Sequence, residues 1–215
     1  MATMNVNPTR MELKRLKNRL TTARRGHKLL KDKRDELMKR FLDIIRENKE
    51  LRAEVEREIS EANRGFAVAG AVMSPEMMEQ SLMCPTKSVE LDISYKNIMS
   101  VDVPEFSFSA SDGKSVYPYG YAMTSGELDD AVDGLARLLP KLLRLAEVEK
   151  SAQLLAQEIE KTRRRVNALE YVMIPQLAET IRMITMKLDE NERGNLTRLM
   201  KVKDMMIKEQ LQKNK

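Results

Sequence analysis

Thirteen positions from Leu13 to Val55 follow one another in alternating steps of three and four residues, and no other feature of the chain constrains its fold as much. They are Leu13, Leu16, Leu20, Ala23, His27, Leu30 and Arg34, and then Leu37, Phe41, Ile44, Asn48, Leu51 and Val55. This is the seam of a coiled coil held for six heptads. The helix is expected to begin just after Pro8, with Asn7 or Thr9 as its cap, and to fade near Gly65. At 1.5 Å per residue it would be about 85 Å long. A helix of that length with one apolar stripe must pair lengthwise with another.

The same chain supplies the partner. From Glu127 onward, Leu128, Val132, Leu135, Leu139, Leu142 and Leu145 form a stripe, with Ser125 and Gly126 as its start. Ala152, Leu155, Ile159, Thr162, Val166, Leu169 and Met173 continue it, followed by Leu177, Ile181, Ile184 and Leu188. The pattern runs to about Gln210, or about 125 Å of helix. Pro140 and Pro175 lie inside it, where each removes a backbone hydrogen bond and is expected to bend the helix. Folded back antiparallel, residue i of the first arm meets roughly residue 192 to 200 minus i of the second, by the helical rise. Gly26 then falls opposite Pro175, and Arg163–Arg165 fall opposite Asp32, Asp35 and Glu36.

The fold class expected is therefore mostly α. A long antiparallel two-helix coiled coil is built from an N-terminal arm (1–66) and a C-terminal arm (126–215) with an overhanging tail. An insert (67–125) separates them. Ser74-Pro75 opens a short helix through Met83. Then Val89, Leu91, Ile93 and Tyr95, and later Met99, Val101 and Val103, alternate as strands of a hairpin over about 88–108. A loop at Lys96-Asn97-Ile98 would set both apolar groups on one face. The alternative turn is the polar SASDGKS at 109–115. A lone hairpin is marginal, so it should dock on the helices or on another protein.

Composition agrees with helices rather than a globular core: 33% of residues are charged, 4% are aromatic, and there is no Trp. Cys84 is the single cysteine, which excludes an internal disulfide and fits a reducing compartment. The apolar stretch Gly65–Met73 is too short to span a bilayer, and MATMNVNPTRMELK lacks a signal-peptide core. A soluble, cytosolic-type chain is expected. The net charge of +5 divides into +9 for residues 1–40, −10 for 41–160 and +6 for 161–215. Two basic ends meeting at one tip would give the molecule one positive and one negative end.

Motifs of chemistry are weak. SDGKS at 111–115 ends like a phosphate-binding loop, but Phe108 stands where the earlier glycine belongs, and a turn explains it better. His27 has no second histidine or cysteine cluster beside it and reads as a polar seam residue, like Arg34 and Asn48, rather than a metal site. Cys84 reads as a spectator. No paired carboxylates, Ser/His/Asp set or glycine cradle is found, so neither catalytic nor metal-binding residues are expected.

Arg163, Arg164 and Arg165 are the strongest remaining signal. Successive helical residues point about 100° apart, so the three make a collar and not a flat patch. Arg24, Arg25 and Lys28 fall near them on the facing helix and complete a basic belt. A solvated face paired with Glu158 and Glu160, a protein contact and a nucleic-acid contact are all open to it, the last weakened by the scarcity of aromatics at the basic ends. Met173, Met183, Met186, Met200, Met205 and Met206 crowd the overhanging end, either as seam filling or as a soft surface that adapts to different neighbours.

Three segments carry a family resemblance: NPTRMELKRLKNRLTTARRGHKLLKDKRDEL (7–37), KNIMSVDVP (96–104) and LLPKLLRLAEVEKSAQLLAQEIEKTRRRVNALEYVMIPQL (138–177). Together they resemble the D subunit of V-type and A-type rotary ATPases, in the bacterial and archaeal style. Residues 64–87, 106–125 and the tail beyond Lys203 carry no matching motif. The resemblance implies a central rotor shaft inside a hexameric head of catalytic and non-catalytic subunits. It further implies a small central-stalk protein, the F subunit, alongside and a funnel-shaped subunit leading to a membrane ring. ATP, ADP and Mg would be bound by the head, with no cofactor in this chain. The complex would be cytoplasmic and peripheral to the membrane, and contact neither nucleic acid nor the bilayer interior.

Under that resemblance the basic belt is the expected head contact. The expected small-subunit contact is Ile93, Met99, Val101 and Val103 with the acidic Glu127, Asp129, Asp130 and Asp133. The competing classes are a coiled-coil scaffold or tether, which has no need of two helix-interior prolines and unequal arms, and a basic nucleic-acid-binding rod, which should lose affinity steeply with salt.

Overall fold

Thr9 begins the first helix of the structure, a computed structural model that describes residues 6–84, 88–110, 117–120 and 124–213. Its hydroxyl accepts the Glu12 N–H at 3.2 Å, satisfying one of the free amides of the first turn, with Glu12 itself acidic in that turn. From there α1 runs unbroken over Arg10–Val72. All thirteen seam positions are buried or half-buried. The expected fade at Gly65 does not occur. A Cβ on Gly65 would sit 3.1 Å from the Cβ of Ala131, so this glycine serves a close helix–helix approach and does not end the helix.

Ser74 caps α2 (Pro75–Leu82), its side chain accepting the Met77 N–H at 3.3 Å, with proline in the first turn where no donor is missed. Strands β1 (Val89–Ile98) and β2 (Val101–Ala110) form an antiparallel hairpin. Helix α3 (Gly126–Ala168) starts at Ser125, whose hydroxyl accepts the Glu127 N–H. A five-residue π turn, Leu169–Met173, joins it to α4 (Ile174–Lys213).

The two prolines differ. At Pro140 the helix continues, on an exposed face where the carbonyl deprived of its partner can reach water. At Pro175 the preceding turn is widened, and the Ile174 N–H bonds the Leu169 carbonyl five residues back. Widening relieves the clash between the proline ring and the Tyr171 carbonyl.

The chain forms two compact units. One joins residues 1–34 to 161–215, and the other is 35–160. In the first, α1 and α4 close on Leu16, Leu177 and Ile184, flanked by Leu13, Leu20, Ile181 and Leu188. In the second, α1 and α3 run together with two apolar clusters. The first of these joins Leu37, Leu155 and Ile159 to Val101 and Val103 of the hairpin. The other joins Ala69, Met73 and Leu128 to Phe66, Met77, Met78 and Tyr119.

Cross-helix partners confirm the antiparallel register. In each pair (Arg10–Glu192, His27–Glu170, Arg52–Glu149, Glu54–Lys141, Glu47–Arg144) the two numbers add to between 191 and 202.

The α3 stripe is corrected in two places. Leu135 and Leu139 are exposed, while Ala131 and Leu138 are buried. The small residues Ala62 and Gly65 on α1 bring the helices close and select the small Ala131 to face them, which sets the phase of the whole turn. Past the π turn the stripe resumes at Leu177, Thr180 and Ile184, and Met173 lies exposed. A turn holding one residue more than an α turn displaces the stripe at that point.

Candidate interaction surfaces

The basic belt lies wholly in the first unit. Thr162 and Val166, one helical turn apart, are both 1% exposed and face the seam. The three arginines between them fill the outer arc of that turn, and all three are exposed. On α1, His27 and Leu30 turn toward the partner helix and leave Arg24, Arg25 and Lys28 exposed. The expected belt residues are thus all presented outward.

Near this level His27, half-buried in the seam, places its Nε2 3.3 Å from Glu170 Oε2. Among the described residues no group of three or more His, Cys, Asp or Glu is placed to hold a metal. Beside the π turn, Gly26 and Ala23 leave a shallow groove of about 520 Å³ against Leu169 and Met173. The absence of a side chain at Gly26 opens it; a Cβ there would meet nothing within 4 Å.

The hairpin differs from expectation in a way that changes its use. Its turn is the two-residue Met99-Ser100, not Lys96–Ile98. Both turn residues have positive φ, 52° and 70°, as a two-residue turn that matches the twist of the strands requires. The Asn97 side chain holds it, accepting the Ser100 N–H at 3.0 Å and donating to Asp102 at 2.6 Å.

Moving the turn sets the two apolar groups on opposite faces. Ile98, Val101 and Val103 pack inward, with Met99, against the helices. Val101 and Val103 are therefore buried within this chain, and Met99 is half-buried beside them. Ile93 stays outward at 53% exposed, with Val89, Leu91 and Tyr95 beside it. The alternative turn at SASDGKS, like SDGKS itself, extends over 111–115, outside the described residues.

The acidic segment at the start of α3 is only partly open. Glu127 and Asp130 are exposed, but Asp129 accepts a hydrogen bond from the Tyr119 hydroxyl at 2.7 Å and Asp133 pairs with Arg137 at 3.2 Å. Asp130 lines a groove of about 490 Å³ with Glu58, Glu61 and Arg137 over the small residues Ala62, Gly65, Ala131 and Gly134.

One feature of this unit escaped the sequence reading. Lys141 bridges Glu54 at 2.7 Å and Glu58 at 2.5 Å, and Arg144 bridges Glu47 at 2.8 Å. Hydrogen bonding to Lys141 lowers the Glu54 carboxyl from its ordinary value, and the bonds to Glu54 and Glu58 raise Lys141. The antiparallel register was the signal that could have found these pairs, since it places them opposite one another.

These features define a helical interaction protein: an antiparallel helix pair, a docked hairpin, and charged and apolar surfaces turned outward. The profile of the ATP synthase D-subunit family matches residues 12–204. The chain belongs to that family. It is similar to the V-type ATP synthase D subunit of Acetivibrio thermocellus, 66% identical over 211 residues that cover 97% of this chain and 95% of that protein. It is likewise similar to the proteins of the same name from Clostridium novyi, 63% identical over 98% of this chain and 99% of that one, and Clostridioides difficile, 62% identical over 100% and 97%.

Proposed function

We propose that this chain is the central-stalk rotor subunit of a V/A-type rotary ATP synthase or ATPase, passing torque between a hexameric head and a membrane ring. The observation that carries the reading is the 66% identity to a V-type ATP synthase D subunit over nearly the full length of both chains. The physics of the fold supports it. Two helices locked in register resist twisting better than one. Exposed arginines make contacts individually worth about 0–1 kcal/mol, which can break and re-form as a surrounding ring is passed. A single deep bond would trap a rotor at one angle.

In this reading the belt of Arg24, Arg25, Lys28 and Arg163–Arg165 meets acidic or carbonyl-lined loops of the head. The head's catalytic and non-catalytic subunits hold ATP, ADP and Mg and do the chemistry. The small F subunit binds alongside, near Ile93 and the acidic start of α3, and a funnel-shaped subunit links the stalk to the ring. The chain works in the soluble sector, on the cytoplasmic side. In keeping with that, no helix among the described residues is long and apolar enough to cross a membrane.

The test is purification of the native complex through a tag on this chain. The head, the F subunit and the funnel subunit should co-purify in fixed stoichiometry with ATPase activity. Recovery of the chain alone, or with nucleic acid in a salt-sensitive complex, would overturn the assignment.

A further inference from the structure

Every residue of β1 from Val89 to Asn97 is exposed, whereas β2 buries Val101, Val103 and Pro104. Strand β1 is thus the outer strand of a sheet that has no third strand among the described residues. The register determines what its edge offers. A two-residue turn closes on a hydrogen-bonded pair, here Ile98 and Val101, and each second pair outward (Lys96–Val103, Ser94–Glu105, Asp92–Ser107) bonds likewise. The residues between, Val89, Leu91, Ile93 and Tyr95, therefore direct their backbone N–H and C=O groups away from β2, to the free edge.

The two edges of the sheet are not equivalent. Pro104, paired with Tyr95, occupies an outward position on β2, where it removes a donor and blunts that edge. Strand β1 contains no proline. Its outward-bonding residues also carry the exposed apolar face: Val89, Leu91, Ile93 and Tyr95 are 40, 41, 53 and 73% exposed. The opposite face carries Glu90, Asp92 and Glu105 against the single Lys96.

We infer that the outer edge of β1 takes up an extended segment of a partner protein whose side chains alternate between apolar and basic. Its backbone continues the ladder, its apolar side chains extend the Leu91–Tyr95 face, and its basic side chains meet Glu90 and Asp92. A second copy of β1 fits less well, because it brings two further carboxylates, Glu90 and Asp92, and a single lysine, Lys96, to an edge that is already acidic. The inference rests on the reading of this chain as a subunit that assembles with others, and adds a contact of stated geometry to that assembly.

Residue-resolved amide hydrogen exchange on the full chain, free and in the assembled soluble complex, tests it. Assembly should slow the amides of Val89, Leu91, Ile93 and Tyr95 at least tenfold, and those of Glu90, Asp92 and Ser94, already in the ladder, much less. Ile93→Pro removes one outward donor and, like Pro104, spares the β1–β2 ladder; it should abolish the alternating protection. Should that variant lose protection at Lys96 and Val103, the hairpin has opened, and Glu90→Lys with Asp92→Lys becomes the deciding variant, expected to reduce the gain in protection at least threefold. The inference is overturned if the chain assembles while those four amides exchange as in the free chain. It is also overturned by protection that is even along the strand, as from a covering helix, or that grows with the concentration of the chain alone. If the parental chain joins no complex, the stalk reading itself fails, which is a separate result.

Discussion

The two helix-pair regions are built from the same heptad pattern and close on buried apolar clusters, but they differ in the charge that flanks the seam. In residues 35–160 the seam is flanked by cross-helix ion pairs: Lys141 with Glu54 and Glu58, Arg144 with Glu47, and Arg52 with Glu149. In residues 1–34 with 161–215 the apolar cluster around Leu16, Leu177 and Ile184 dominates. The cross-helix pairs there, Arg10–Glu192 and His27–Glu170, lie at different levels along α1. The belt residues Arg24, Arg25, Lys28 and Arg163–Arg165 of this region are exposed.

The largest expected effect separates the regions by what hangs on one buried leucine. Leu37 and Leu16 are both at most 1% exposed. Truncation of either to Ala should destabilise by about 2–5 kcal/mol. Leu37→Ala should in addition loosen the hairpin, raising exchange at Val101 and Val103, because all three belong to one buried cluster. Leu16→Ala should leave the hairpin unchanged. Equal hairpin protection in the two variants would remove that distinction between the regions.

Two glycines on α1 sharpen the comparison through opposite signs. Gly65→Val forces side-chain atoms into the 3.1 Å approach to Ala131 and should destabilise by about 1–3 kcal/mol. Gly26→Ala enters open space and should stabilise by up to about 1 kcal/mol through helix propensity alone. Thermal melts of the two variants decide it; destabilisation by Gly26→Ala would mean that the groove beside the π turn must stay open for the helix pair to hold.

The ion-pair ladder predicts a pH dependence in the second region. Hydrogen bonding to Lys141 lowers the Glu54 pKa below its ordinary 4.5, so its contribution is present above that value and is lost as pH falls through the lower folded value. Lys141 is raised above 10.5, so its contribution is present below that value and lost as pH rises through the higher folded one. Lys141→Met should flatten the acid-side loss of stability below about pH 4.5, with only a small change at neutral pH because solvent screens these half-buried groups. Melts of parent and variant from about pH 3 to 7 measure it, and parallel curves would refute it.

The smallest effect on folding belongs to the belt. Replacing Arg163, Arg164 and Arg165 together by Gln should change stability by no more than about 0.5 kcal/mol. It should weaken association with the head and reduce its salt dependence, while Arg164→Ala alone is mild. Unfolding of the triple variant would make the arginines structural. Assembly and turnover like the parent across a salt series would make them only a solvated surface.

Periodicity carried most of the fold. The seam from Leu13 to Val55 is closed at every position, and the cap at Thr9, the start at Ser125 and the antiparallel register all follow from local chemistry and spacing. The outward placement of Arg163–Arg165 was legible for the same reason, since residues between buried i and i+4 positions must face outward. The hairpin contact was legible only as two strands. Alternation says which residues of one strand share a face, but a two-residue turn at Met99-Ser100 in place of a three-residue loop centred on Asn97 shifts the pairing by an odd number of residues, and Val101 and Val103 went inward.

By itself, then, the sequence determined an antiparallel helix pair with an inserted hairpin, because a stripe of period 3.5 over dozens of residues has one economical way to leave water. Tertiary structure alone decided where helix spacing tightens, as at Gly65 and Ala131, and hence that Ala131 and Leu138 are inside while Leu135 and Leu139 are not. It decided the π turn before Pro175, which trades one hydrogen-bond pattern for another at a ring clash that spacing alone does not resolve. It decided too which face of the hairpin the helices cover. Each depends on the distance between backbones distant in sequence, a quantity that no local pattern of residue types encodes.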